Sequence, residues 1–301
     1  MTNRRDALKC LGVGAGTLFT LSGGVFSAFD MAEARAEDMG APLFLQISDT
    51  HIGFNKDANP DVVGTLNSTI DAVNALPHQP AFALHTGDVT HLSKAGEFDT
   101  ASQLLSRLKA GELHVVPGEH DVTDGPGAEF FARFGKASNN KGYYSFDARG
   151  VHFIALVNVM NFKPNGLGAL GEDQLGWLKD DLAGRSASQP IVVFAHMPLW
   201  TVYEPWGWGT GEGEQIAALL RRFGSVTVLN GHIHQIVQKV EGNILFHTAR
   251  STAYPQPPAG SGPGPGPLVV PPAQLPGMLG VTVVAKGTHK NQLSLTDSTL
   301  A

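Results

Sequence analysis

One cysteine, Cys10, stands in the whole chain of 301 residues, so a disulfide framework, a cysteine zinc site and thiol catalysis are all excluded from the body of the protein. Basic residues are also few. Lys plus Arg number 21 against 27 Asp plus Glu, a formal net charge of -6, which excludes the broad positive footprint that nucleic acid or anionic lipid would require. Any anionic substrate must therefore be met by local positive charge. Charged residues make up only 16% of the chain and hydrophobic residues 42%, a balance outside the disordered and fibrous classes, and no repeat of fixed period is present. The length suffices for one large domain or two small ones. What the chain does hold is histidine, with 12 candidate ligands or bases.

The opening Asn3-Arg4-Arg5-Asp6-Ala7-Leu8-Lys9 is charged and carries paired arginines, and the stretch from Leu11 to Phe29 that follows has no charge and is rich in glycine. This is a signal-peptide layout, similar to a twin-arginine (Tat) export signal, with Ala34-Arg35-Ala36 as a small-x-small cleavage site. Residues 1–36 are expected to leave as the signal, and 37–301 to form the mature domain. The glycines weaken the uncharged run as a helix, so no stable membrane anchor is expected. Cys10 departs with the signal, and a cysteine-free remainder suits an oxidising compartment. The expectation is a periplasmic or secreted protein that engages the Tat export machinery.

Within the body, short apolar runs alternate with helix-period stretches: 42–48 then 60–76, 81–84 then 97–108, 113–116 then 129–134. Runs at 143–146 and 151–157 flank Asp147-Ala148-Arg149-Gly150 and read as a hairpin. A helix at 174–182 and a buried strand at 191–195 precede a β-rich end at 226–229, 236–240, 244–247, 280–285 and 292–295. Strand-helix units joined to late antiparallel strands predict an α/β fold, a four-layer α-β-β-α sandwich of two mixed sheets flanked by helices. The Pro/Gly-rich segment 255–277 is too near the end of the chain to divide it into domains, and reads as a long surface loop returning to the same sheet.

Polar clusters follow directly on the apolar strands: Asp49-Thr50-His51, Gly87-Asp88, Gly118-Glu119-His120-Asp121, His196, and Gly231-His232-Ile233-His234. Ligands bind in the loops beyond strand ends in α/β sheets. A lone Asp or His there would be a turn former, but five such clusters can supply four histidines and three carboxylates as ligands, enough for two ions of Mn, Fe or Zn sharing a bridging group.

This order of D-x-H, G-D, G-[N]-H-[DE], lone H and G-H-x-H resembles the calcineurin-like metallophosphoesterase superfamily over Asp49 to His234, and within it most the cyclic-nucleotide phosphodiesterase branch. The resemblance implies a secreted di-metal phosphoesterase that hydrolyses a phosphodiester or nucleotide with a hydroxide generated at the metal pair. By position, Asp49, His51 and His234 would hold the first ion, Glu119, His196 and His232 the second, with Asp88 bridging. His120 would serve the leaving group or the transition state, oriented by Asp121. Glu119 departs from the pattern, which has asparagine there. A third carboxylate lowers the charge of the site from +2 to +1 for two divalent ions, which weakens attraction for a phosphate dianion and favours a mixed ferric/divalent pair. The alternative on the same fold is a metal-dependent binding or sensing protein whose catalysis is lost through Glu119, but retention of His120 and Asp121 favours the enzyme. Trp200, Tyr203 and Trp206 crowd the loop after His196, either as loop packing or as a wall that stacks on the substrate's leaving group. His85 reads as a core or supporting histidine, His91 as supporting or surface, His247 as structural, and Asn158 as a residue of the cleft.

Overall fold

The computed structural model describes residues 42–287 and 292–301, so the predicted signal segment lies outside the described residues. Two large sheets pack face to face. The first has the order β13-β12-β1-β2-β3, formed by β1 (Pro42–Ile47), β2 (Phe82–His85), β3 (Glu112–Val115), β12 (Gly280–Lys286) and β13 (Leu293–Thr299). The second has the order β10-β11-β9-β8-β5-β4, from β4 (Tyr144–Ala148), β5 (Val151–Ala155), β8 (Ile191–Phe194), β9 (Val226–Asn230), β10 (Gln238–Glu241) and β11 (Ile244–Thr248). A small pair, β6 (Asn161–Phe162) with β7 (Gly168–Ala169), stands apart.

Strand periodicity explains the layers. On β5, Val151, Phe153 and Ala155 point into the space between the sheets while Ile154 faces outward, and β8 divides likewise into Val192 and Phe194 inside against Ile191 and Val193 outside. The outer face of the first sheet is covered by α1 (Val62–Asn74), α2 (Ala95–Leu105) and α3 (Ala128–Phe134), and that of the second by α4 (Glu172–Ala183) and α5 (Gly213–Leu220). Helix α1 starts where the Asp61 carboxylate accepts from the Gly64 amide (2.8 Å), and buries Leu66, Ile70 and Val73 at helical spacing. The result is the predicted four-layer sandwich.

The hairpin of β4 and β5 forms as expected, its tight turn made by Arg149 and Gly150, both at positive φ (54° and 83°). The loop after β11 departs from the reading above. It leaves the second sheet and, through α6 (Leu275–Met278), enters β12 of the first, where β12 pairs antiparallel with β1. It thus crosses between the sheets instead of returning to one of them. The strand-like spacing on either side was legible, but the pairing of β12 with β1, far away in the chain, is not a property of local sequence. Among the described residues, no helix is long and apolar enough to cross a membrane.

Candidate metal centre

Strands β1, β2 and β3 run parallel, as do β5, β8, β9 and β11, so the carboxyl ends of β1, β2, β3, β8 and β9 deliver their loops to one edge of the sandwich. The two sheets are tied at this edge by polar side chains. The Gln46 amide donates to the Asn230 carbonyl (3.1 Å), and His196 Nδ1 on one sheet meets the Thr86 carbonyl on the other (2.7 Å). The Asp49 carboxylate accepts the His232 backbone N–H (3.2 Å).

Asp49, His51, Asp88, His232 and His234 all adopt left-handed φ values between 41° and 70°, an unusual conformation for residues with side chains. Each turn reverses sharply after its strand, so the side chains of these five residues converge on one place. Gly87 permits this at φ 96°, and a Cβ there would come within 2.4 Å of His196 Nδ1.

Two donor groups result. In the first, His51 Nε2 is 3.2 Å from His234 Nε2, which is 3.2 Å from Asp49 Oδ1. In the second, Glu119 Oε1 is 2.9 Å from His232 Nδ1 and Oε2 is 2.9 Å from His196 Nε2. Between them, Asp88 Oδ2 stands 3.4 Å from His51 Nε2 and 3.4 Å from His196 Nε2. The structure therefore brings together all seven residues predicted as ligands, in the two predicted groups, with Glu119 turned inward.

These side chains fit a pair of cations. Glu119 Oε2, His196 Nε2 and His232 Nδ1 are buried, within 2.9 Å contacts, yet none has a hydrogen-bond partner. The far nitrogens of His196 and His234 face the carbonyls of Thr86 and Tyr254 (2.7 and 2.6 Å), which leaves Nε2 of each ring free to coordinate. The charges agree. Burial opposes charge on His196, but Asp88 and Glu119 hold its pKa well above the usual value; burial likewise opposes the Glu119 carboxylate, which His232 and His196 hold well below the usual range. Three carboxylates gathered in one buried place demand positive charge.

His120 lies beside these groups and is half-buried. Its backbone N–H donates to Asp88 Oδ1 (2.9 Å), and its ring Nδ1 meets the His91 carbonyl (2.8 Å). The expected orienting contact from Asp121 is replaced by that carbonyl. The Asp121 carboxylate instead accepts from the amides of Val89, Thr90 and Gly118 and from the Thr90 hydroxyl (2.8–3.0 Å), binding the loop of Asp88 to the loop of Glu119. Burial and the Asp88 charge push its pKa up to about 7 against the pull of those amides. His91 also stacks on the His120 ring (centroids 4.7 Å, 17° apart), so it is the histidine that supports the candidate acid.

His85 is buried with its pKa pushed down to about 3, and bridges Thr50 and the Gly87 amide as a structural residue. His247 reaches across the sandwich to Asp297 (3.0 Å), again structural. Asn158 is buried and holds the Met197 segment by both ends of its amide, which makes it a support for the His196 loop and not a cleft residue. Trp200 packs on Phe246 in the outer core under α4 and α5, so it is no wall of the cleft. Tyr203 and Trp206 pack on each other (5.4 Å) and Trp206 on buried Trp208 (5.0 Å). Tyr254, which the sequence pattern did not single out, lies against His51 and His234. Its only sequence signal was a place at the head of the Pro/Gly-rich segment that follows the last strand after the motifs.

The model of the calcineurin-like phosphoesterase family matches residues 42–236. The chain is 28% identical over 228 residues to the serine/threonine-protein phosphatase CPPED1 of Mus musculus, covering 68% of this chain and 73% of that protein. It is 25% identical over 228 residues to a probable cyclic nucleotide phosphodiesterase of Rhodopseudomonas palustris, covering 70% of this chain and 78% of that protein. Among solved structures, a dimetal phosphatase from Danio rerio superposes with a TM-score of 0.66 at 14% identity, over 86% of this chain and 97% of that one, which shows a shared fold.

Proposed function

Because this chain belongs to the calcineurin-like phosphoesterase family, we propose that its metal centre hydrolyses a phosphodiester, in a nucleotide or another small ester, with His120 serving the leaving group. The observation that carries this reading is Asp88 Oδ2 midway between the two donor groups, 3.4 Å from a histidine of each, with His120 held beside it. Two cations drawn from Fe, Mn or Zn, when bound, would neutralise the phosphate and supply a nucleophile at neutral pH.

The chain's own residues supply the rest. Asp49, His51, Asp88 and His234 are buried, whereas Glu119, His120 and His232 are partly exposed, so a phosphate approaches from the Glu119 side. His120 Nδ1 faces a carbonyl and therefore carries hydrogen, which leaves Nε2 to hold or deliver the proton of a departing alkoxide. The third carboxylate, Glu119, removes one positive charge from what the site offers. A monoanionic diester loses less attraction through this than a dianionic monoester, which favours the diester. Tyr203 and Trp206 are the aromatic groups proposed to meet the leaving group, and the twin-arginine segment is proposed to send the protein to the periplasm through the Tat machinery.

The reading is tested by comparing an aryl phosphodiester with the corresponding aryl monoester after loading with Mn, Fe or Zn. Faster turnover of the diester is expected. A preference for the monoester overturns the diester assignment, and no hydrolysis of either by metal-loaded protein would return the chain to the binding or sensing alternative. Cell fractionation of the wild type and of Arg4→Lys with Arg5→Lys checks export; an unchanged periplasmic share in the double variant refutes a twin-arginine route.

A further inference from the structure

We propose that Gln256 is a positioning residue that gives the site a preference for esters carrying a planar ring, a nucleobase or an aryl group, by fixing where Tyr203 stands. The inference rests on the phosphoester reading of the metal centre. The start of the Pro/Gly-rich loop is tied to the last histidine motif in both directions. Gln256 Nε2 donates to the His232 carbonyl (3.1 Å), and Gln235, the residue after His234, donates from its own Nε2 to the carbonyls of Gln256 (3.2 Å) and Pro257 (2.8 Å). One residue earlier than the prolines, the Tyr254 carbonyl meets His234 Nδ1 (2.6 Å). Two glutamines thus clasp the loop to the turn that carries His232 and His234.

Beyond the clasp the loop is stiff. Pro257 and Pro258 have fixed φ, and Ser261 donates to the Pro258 carbonyl through both its amide (3.0 Å) and its hydroxyl (2.7 Å). The turn so closed passes through Gly260 at φ 72°, a conformation that favours glycine. The bare face of Gly260 lies against Tyr203: a Cβ there would come 3.2 Å from the phenol oxygen and 3.3 Å from Cζ. Tyr203 meets Trp206 edge-on (5.4 Å, 90°), and Trp206 meets buried Trp208 likewise (5.0 Å, 83°). Contacts therefore run without a break from His232 through residues 256–260 to the aromatic pair.

The clasp is placed where it can act on substrate. His232 and Glu119 are the partly exposed members of the second donor group, and Gln256, Tyr203 and Trp206 are partly exposed as well. A ring held by a rigid loop meets a planar group at no ordering cost, whereas a ring on a slack loop must be immobilised first. The chain only has to reach β12, and loops tolerate slack for that purpose. Reciprocal glutamines on the His232 turn serve a closer tolerance, the distance from the donor group to the ring.

The test uses the full protein loaded with zinc and measures by calorimetry the binding of two monoanionic diester mimics that have no leaving group to lose, the monomethyl esters of phenylphosphonate and of methylphosphonate. The phenyl mimic is expected to bind about 5-fold more tightly, the size of one aromatic contact. Gln256→Ala and Tyr203→Ala should each abolish that preference at unchanged zinc content and leave the methyl mimic unaffected, and the double variant should lose nothing further. Equal binding of both mimics by the wild type, an undiminished preference in Gln256→Ala, or additive losses in the double variant overturns the proposal while leaving the metal centre intact. Binding of neither mimic by the zinc-loaded wild type overturns the phosphoester reading together with it. Should Gln256→Ala fail to fold, Gln235→Ala cuts the clasp from the other side: loss of the phenyl preference there supports the proposal, and its retention refutes it.

Discussion

Glu119 and His120 are neighbours in sequence whose side chains part, one turned into the second donor group and the other standing beside the donors. His120 is held by a backbone carbonyl and by the stacked His91 ring and takes no place among the seven donors. His120→Ala should therefore keep the metal content and lower turnover by roughly 100-fold or more, the size of a lost general acid. The loss should shrink for esters with good leaving groups; an equal loss across leaving groups of very different basicity would leave the residue only a positioning role. Glu119→Asn retains an oxygen ligand but removes a charge, so metal preference should move toward divalent Mn and inorganic phosphate should inhibit more strongly. Metal analysis and phosphate inhibition of both forms, after identical loading, check this. No change in either would mean that the Glu119 carboxylate does not coordinate.

At the scale of elements, the working parts are the turns that follow the parallel strands. A short 3-10 turn at Glu119–Asp121 is locked to the Asp88 loop by three hydrogen bonds from Val89 and Thr90 to the Asp121 carboxylate, which explains why that acid follows the histidine without touching its ring. The two loops approach so closely at Gly118 that a Cβ would lie 2.0 Å from Asp88 Oδ1 and 2.4 Å from Asp88 N. Gly118 has φ -97°, which any residue adopts, so Gly118→Ala acts through this contact and not through backbone strain. It should displace the Asp88 carboxylate proposed to bridge the two cations, reducing metal content and turnover together while circular dichroism stays that of the folded protein. Full occupancy by two ions in Gly118→Ala would show that Asp88 is not where the bridge lies.

For the whole molecule, the site joins loops from both sheets, so a bound cation links the two halves of the sandwich. Ions that bind the folded chain and not the unfolded one add stability by mass action, about 4 kcal/mol each when the free ion stands ~1,000-fold above its Kd. Removing them leaves three carboxylates packed together. Chelation is therefore expected to lower Tm in calorimetry, and re-addition of metal to restore it; an unchanged Tm would mean that the site contributes nothing to holding the sheets together.

The sequence by itself marked most of the elements and the residues of the candidate site. Periodicity marked α1, α2 and most strands because each buries one side, and the D-x-H and G-H-x-H spacings stood out because acids and histidines are rare directly after apolar runs. Helix α5 escaped that reading because Gly213–Leu220 is short and follows a glycine-rich approach, although Ile216, Ala217 and Leu220 are buried at helical spacing. Only the tertiary structure decided which strands pair, and with that the crossing of the 255–277 loop from one sheet to the other. It also decided which group orients His120. A carbonyl acceptor has no sequence signature, because every residue has one, and the His91 carbonyl could displace Asp121 only once the two loops had met. Tyr254 belongs to the same class: 203 residues separate it from His51, and nothing short of the packed sandwich sets a phenol oxygen 3.2 Å from that ring nitrogen.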